Sequence, residues 1–191
     1  HVETMRDLLV GIGVDKVVPI GNSLGGSVVL EYTLDYPETV EKLVLMAPGG
    51  VEDPATFWGK TEGGVALADF ARTDDGSEAS FRKVLGLLVH DEADITDVAV
   101  SERYPIAKGQ PKRVFTSVTI RNTWDRLGEI ARPVLVFWGL HDRFLPVEQA
   151  LKAARDIKRA KVVISNQAGH WYMLEEPDDF NREVVDFLAH G

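Results

Sequence analysis

The stretch from Val17 to Gly26 restricts what this chain can fold into more than any other. Val17-Val18-Pro19-Ile20-Gly21-Asn22-Ser23-Leu24-Gly25-Gly26 passes from a β-branched run through Gly-Asn-Ser-Leu-Gly into an apolar, helix-compatible segment over 27–36. A strand, a sharp turn and a helix in immediate succession leave no space for Cβ atoms where the two backbones meet. Gly21 and Gly25 answer that requirement, while Ser23 at the apex takes a strained φ/ψ. The Ser23 hydroxyl then stands clear of the sheet edge. The backbone N–H of Leu24 and the positive end of the helix face the same point, as an oxyanion hole requires.

The rest of the chain repeats the strand–helix alternation. Val2, Met5, Leu8, Leu9 and Ile12 recur at helical spacing until Gly11 and Gly13 end the pattern. A strand is expected over 16–20, although Pro19 removes a ladder donor and marks an edge strand or bulge. Leu43-Val44-Leu45-Met46-Ala47 reads as a buried strand closed by Pro48-Gly49-Gly50. The sheet pattern resumes at Pro133-Val134-Leu135-Val136-Phe137-Trp138-Gly139, followed by a helix over 147–157 and a strand over 161–165. A closing helix over 179–189 puts Phe180, Val184 and Phe187 on one face. Such alternation implies an α/β fold with a parallel sheet flanked by helices and right-handed crossovers.

Between 51 and 128 the pattern changes. Candidate helices cover 64–72, 77–90, 96–107 and 111–125, with Ser77 and Thr96 as N-caps and Pro111 in a first turn. No strand reads convincingly there. The expected organisation is therefore a core of residues 1–50 and 129–191 with a helical lid, 51–128, inserted between two strands.

Composition narrows the class. A chain of 191 residues with 45% hydrophobic and 27% charged residues is an ordinary globular domain. No apolar run approaches the roughly 20 residues of a membrane span, and no signal-peptide pattern opens the chain, so the expectation is a cytoplasmic protein. The absence of cysteine excludes disulfides and thiolate metal sites, and no cofactor or metal is expected. A net charge of −9 argues against a nucleic-acid partner. It also means that an anionic small molecule would need a local cation to hold it.

In a parallel sheet, reactive groups project from the carboxyl ends of the strands. Ser23 follows one such end, Asp142 follows the strand ending at Trp138, and His170 follows the strand ending near Ser165. A serine hydroxyl is a poor nucleophile until a base takes its proton. His170 Nε2 is placed to do so, with Asp142 holding the tautomer and stabilising the imidazolium. Each residue taken alone has a plainer reading. A Gly-x-Ser-x-Gly run is a common turn, an Asp after a strand is commonly a cap, and a His in Gly-His-Trp is commonly a surface residue. Their order at three strand ends, Ser…Asp…His, is that of the α/β hydrolases. The other histidines fit worse: His1 and His190 lie near the termini, His90 in the lid, and His141 beside Asp142 should point away from it.

Several motifs together resemble one branch of the α/β-hydrolase superfamily, the meta-cleavage product hydrolases, which cut carbon–carbon bonds in ring-opened aromatic or steroid catabolites. They are Gly21-Asn22-Ser23-Leu24-Gly25-Gly26, Leu45-Met46-Ala47-Pro48-Gly49-Gly50, Trp138-Gly139 with Asp142-Arg143-Phe144 and Pro146, and Gly169-His170-Trp171. The resemblance runs over nearly the whole chain and is weakest over 56–91. It implies that Asn22 and Trp171 line a pocket beside the dienoate part of a substrate. Arg103, in Ser101-Glu102-Arg103-Tyr104, would reach the substrate carboxylate and keto-enolate end, and a lid arginine suits that task as a bidentate clamp. Ser at the turn, by the same resemblance, excludes the haloalkane dehalogenases and epoxide hydrolases, which use Asp there.

The resemblance also implies strands ahead of the elbow and a His-Gly-type loop carrying the second oxyanion N–H. Two or three β–α units of about 30 residues each would make that segment ~60–90 residues. The edge of strand 16–20 is accordingly expected to pair with a complementing N-terminal segment or a second copy. Three readings follow: a C–C hydrolase lacking or borrowing that segment, a carboxylesterase of the same fold, or a non-catalytic remnant.

Overall fold

In the computed structural model, which describes residues 1–73, 77–111 and 119–190, four apolar runs form one parallel sheet. Its strands are β1 (Ile20–Asn22), β2 (Leu43–Pro48), β3 (Val134–Gly139) and β4 (Ala160–Ser165), hydrogen-bonded in that order. The fold is that of an α/β protein, a parallel sheet flanked by helices. Every residue of β2 and β3 is buried, as in a sheet covered on both faces.

The period of two sorts these residues onto two cores. Leu43, Leu45, Ala47, Val134, Val136 and Trp138 pack on one face with Leu30, Ala150, Ala153 and Ile157. Val44, Met46, Leu135 and Phe137 pack on the other with Tyr172, Val184 and Phe187. The first core is closed by the helices Ser23–Asp35 and Glu148–Asp156, the second by Tyr172–Glu175 and Pro177–His190.

The first strand differs from expectation. β1 begins at Ile20, and upstream of it only the bridge between Val17 and Val40 is ladder-like. The cause is Pro19. Its carbonyl accepts from the Val44 N–H at 3.0 Å. In a strand the N–H and C=O of one residue point to the same side, so the donor that proline lacks would have faced β2. Pro19 thus interrupts the ladder within the sheet and does nothing to blunt the outer edge. On that outer edge no strand stands among the described residues.

The helix before it is also only partly covered. In Val2–Gly11, Val2 is buried and Met5 and Leu9 pack on Tyr32 and Val40. Leu8 and Ile12, expected on the same face, are instead 60% and 62% exposed, and Ile20 of β1 is 47% exposed. Apolar surface thus lies open in the helix before β1 and in β1 itself.

Among the described residues, the segment between β2 and β3 contains helices and no strand: Pro54–Phe57, Glu62–Thr73, Glu78–Gly86 and Asp97–Gly109. Ser77 and Thr96 cap two of them, accepting from the N–H groups of Ser80 and Ala99 at 3.1 Å each. The helix expected over 77–90 stops at Gly86 because the backbone of residues 86–90 bonds to other parts of the molecule, as described below. Residues 112–118 of the candidate helix over 111–125 lie outside the described residues, and its described end, 119–125, is loop and turn. The returning chain is fastened to the helix Ser23–Asp35, where Arg121 Nη1 pairs with Glu31 at 2.5 Å and Asp35 at 2.8 Å.

Gly139, the last residue of β3, offers a direct test of this packing. A Cβ there would come within 2.1 Å of the Gly169 carbonyl oxygen and 2.2 Å of that of Ala168. Both are backbone atoms and cannot rotate away. Gly139→Ala is expected to destabilise the protein by about 3 kcal/mol, read as a lower midpoint in urea at unchanged m-value.

Candidate active site

The elbow forms as its glycines suggest, with one substitution of role. Ser23 has φ 53°, the left-handed region that non-glycine residues avoid. A Cβ on Gly21 would lie 2.6 Å from the Gly25 carbonyl oxygen, so the strand and helix backbones do meet there. A Cβ on Gly25 would touch nothing within 4 Å, whereas one on Gly26 would lie 2.5 Å from Pro48 Cβ. The second crowded position is therefore Gly26, because the helix closes onto β2 one residue later than the motif alone implies. Helix Ser23–Asp35 starts at the serine itself, four residues before the expected start. Leu24 is in its first turn, where a backbone N–H has no acceptor within the helix and is free to face an oxyanion.

The end of β2 supports this turn. Ser23 bridges to Pro48, and the Gly49 N–H donates to the Ser23 carbonyl at 2.9 Å. Ala47 is also left-handed, at φ 37°, so two strained residues stand side by side at the rim. The motif Pro48-Gly49-Gly50 marks this place in the sequence, but nothing in it identifies Ala47.

Asp142 and His170 meet at the ends of β3 and β4. His170 Nδ1 lies 2.7 Å from Asp142 Oδ2, and both side chains are almost wholly buried, at 2% and 0% exposure. A carboxylate can only accept here, so Nδ1 carries the proton and Nε2 is left with its lone pair free to accept one. Asp142 Oδ1 accepts from the N–H groups of Phe144 at 2.8 Å and Leu145 at 2.9 Å, which fixes the carboxylate plane. The two loops are laced together by Leu140 N–H to Ser165 O at 2.8 Å and His141 N–H to Ala168 O at 3.1 Å. His141 turns its ring elsewhere, with Nε2 3.1 Å from Asn166 O and its face stacked on His90 at 3.8 Å.

Asn22 joins the elbow to the histidine loop. Its Nδ2 donates to Met46 O at 3.0 Å and to His170 O at 3.3 Å. The Ser23 hydroxyl and the imidazole are not hydrogen-bonded to each other among the described residues. Such bonds commonly tighten only in the complex with substrate.

The other two site candidates form a second pair. The guanidinium of exposed Arg103 lies 5.1 Å from the centroid of half-buried Trp171, the residue after His170. Among the described residues Arg103 pairs with no carboxylate. Trp171 also packs against the cluster of Phe81, Leu85, Val89, Ile95 and Val100.

Sequence reasoning missed two side chains that fasten residues 86–92 to the loops carrying Asp142 and His170. Arg143 Nη2 donates to Gly86 O at 2.5 Å and Val89 O at 3.0 Å, with Nη1 3.8 Å from Glu92. Glu175 accepts from the Gly169 N–H at 2.7 Å through Oε2 and from the His90 N–H through Oε1. Burial pushes the Glu175 carboxyl up, against the lowering effect of these two donors. Arg143 lies in the motif Asp142-Arg143-Phe144, whose spacing does not announce these contacts, and Glu175 lies in none of the motifs.

Against known proteins, the profile of the family described as "alpha/beta hydrolase fold" matches residues 1–177. The chain is 33% identical over 198 residues to a 2-hydroxy-6-oxononadienedioate/2-hydroxy-6-oxononatrienedioate hydrolase of Comamonas testosteroni, covering 100% of this chain and 68% of that protein. It is 30% identical over 196 residues to a 2-hydroxy-6-oxo-6-phenylhexa-2,4-dienoate hydrolase of the same organism, covering 98% and 68%. The solved structure of a meta-cleavage product hydrolase from Pseudomonas fluorescens IP01 superposes with a TM-score of 0.81 at 25% identity, covering 98% of this chain and 70% of that one.

Proposed function

Because the chain belongs to the α/β-hydrolase family and is a hydrolase similar to the meta-cleavage product enzymes, we propose that it is a cytoplasmic, serine-dependent hydrolase of a C–C bond in a vinylogous keto-dienoate from aromatic or steroid catabolism. The observation that carries this reading is the buried His170–Asp142 pair at 2.7 Å, on a loop tied to the elbow through Asn22. The motif-level likeness around it supplies the substrate class.

The chemistry is the one that the resemblance implies, assigned to the residues of this site. The dienol first ketonises. His170 Nε2 then takes the proton from the attacking oxygen, that of Ser23 in an acyl-enzyme route or of a water in a gem-diol route. The oxyanion forms opposite the Leu24 N–H. When the C–C bond breaks, its electron pair passes into the keto-dienoate arm, and the imidazolium returns the proton to that arm. The segment 51–128 serves as the lid. Arg103 clamps the carboxylate from it, with its charge directed over Trp171, and Asn22 and Trp171 bound the pocket. A segment pairing with the outer edge of β1, or a second copy at that edge, covers the open backbone and apolar residues there; in the first case it also supplies a second oxyanion donor.

The deciding experiment compares turnover of a ring-cleavage dienoate with that of a simple nitrophenyl ester. A preference for the dienoate supports the C–C hydrolase, and a preference for the ester favours a carboxylesterase. Arg103→Ala is expected to raise KM for the anionic dienoate about tenfold, the scale of one charge-assisted contact, and to leave the neutral ester unaffected. An unchanged KM for the dienoate would remove the clamp.

A further inference from the structure

The catalytic histidine is held from both sides by one short piece of the lid. After it, the Trp171 N–H donates to Leu88 O at 3.0 Å. Before it, the Gly169 N–H donates to Glu175, whose other oxygen accepts from the His90 N–H. Leu88, Val89 and His90 are consecutive, and Arg143, the residue after Asp142, holds the carbonyl between them at 3.0 Å. The stacked rings of His90 and His141 add a contact on the Asp142 side. Residues 86–90 therefore form a seam against both catalytic loops.

We propose that Glu175 is a positioning residue for His170, which it orients through the Gly169 backbone and links to the seated lid through the His90 backbone. The inference rests on the triad reading and deepens it. A carboxylate is the side chain for this task, because both oxygens accept and each has a donor aimed at it. If residues 86–90 lift, Glu175 loses one of its two donors and Trp171 loses its acceptor. Trp171 is then released outright, and Gly169 is left on a carboxylate that has lost its own tether, so the base is aligned when the lid is down and slack when it is up.

The test uses the full chain and the variants Glu175→Gln and Glu175→Asp. The amide presents an NH₂ to one of two N–H donors. The shorter acid keeps the charge but cannot span both. In each variant the rate of Ser23 labelling by a fluorophosphonate, and kcat on a nitrophenyl ester, are expected to fall about 10- to 100-fold, the cost of a base misplaced by about an ångström. KM is expected to stay within about twofold, and the amides of Gly169 and His90 to exchange with solvent faster, in step. The role is overturned if Glu175→Asp behaves as wild type, since charge alone would then suffice. It is equally overturned if the amides loosen with no change in labelling, or if neither variant differs from wild type. Failure of the triad reading looks different, because the wild-type chain itself would then go unlabelled and both proposals would fall.

Discussion

Ser23→Ala is expected to abolish fluorophosphonate labelling and to lower turnover of a nitrophenyl ester, which acylates the serine, by about 10⁶-fold, the loss seen when the nucleophile of such a triad is removed. The change is chemical and not structural. Ser23 sits at φ 53°, and serine and alanine carry the same Cβ into that conformation, so the strain is unaltered and Tm should move by no more than about 2 °C. Ser23→Gly separates the two effects. It should be as inactive as the alanine variant yet more stable by about 1 kcal/mol, since glycine occupies the left-handed region without penalty. Labelling that persists in Ser23→Ala would show that another residue reacts, and the elbow would then be a turn with no catalytic part.

The parts of this molecule that were legible in the sequence are those fixed by local pattern. β2 and β3 announce themselves because both faces are buried, so their apolar runs are unbroken. The elbow is legible because a strand meeting a helix at a sharp turn has few solutions, and Gly21 shows the crowding that demands one of them. What the pattern does not carry is what stands opposite. Helical spacing identifies Val2–Gly11 as a helix but cannot say which of its apolar residues are covered, and Leu8 and Ile12 prove exposed. Periodicity likewise extends a helix through residues 87–90, whose backbone is claimed by Trp171, Arg143 and Glu175. Contacts between residues 50 to 85 positions apart leave no trace in a local window, which is why Glu175 and Arg143 become visible only in the fold.

Asp142 distinguishes most sharply between a catalytic and a merely structural carboxylate, because its two oxygens have different duties. Oδ1 receives the Phe144 and Leu145 N–H groups, the ordinary work of an Asp at a turn, and Oδ2 receives His170 Nδ1–H. In Asp142→Asn the amide oxygen can keep the two backbone donors. Its NH₂ then faces His170, which must become an acceptor at Nδ1 and carry its proton on Nε2. In that tautomer the ring cannot take a proton from the attacking oxygen, and kcat is expected to fall about 10⁴-fold, as in other Ser-His-Asp enzymes given this change. The opposite amide orientation would set a donor against two buried donors at about 1–3 kcal/mol, so it should not compete. Stability should therefore change little in Asp142→Asn. Asp142→Ala should lose activity and also about 2 kcal/mol of stability, because the Phe144 and Leu145 N–H groups are left without an acceptor. Paired measurements of kcat and urea midpoint thus give a pattern, inactive and stable against inactive and weakened. An Asn variant keeping kcat within about tenfold of wild type would reduce Asp142 to its turn-forming duty and leave His170 without its orienting partner.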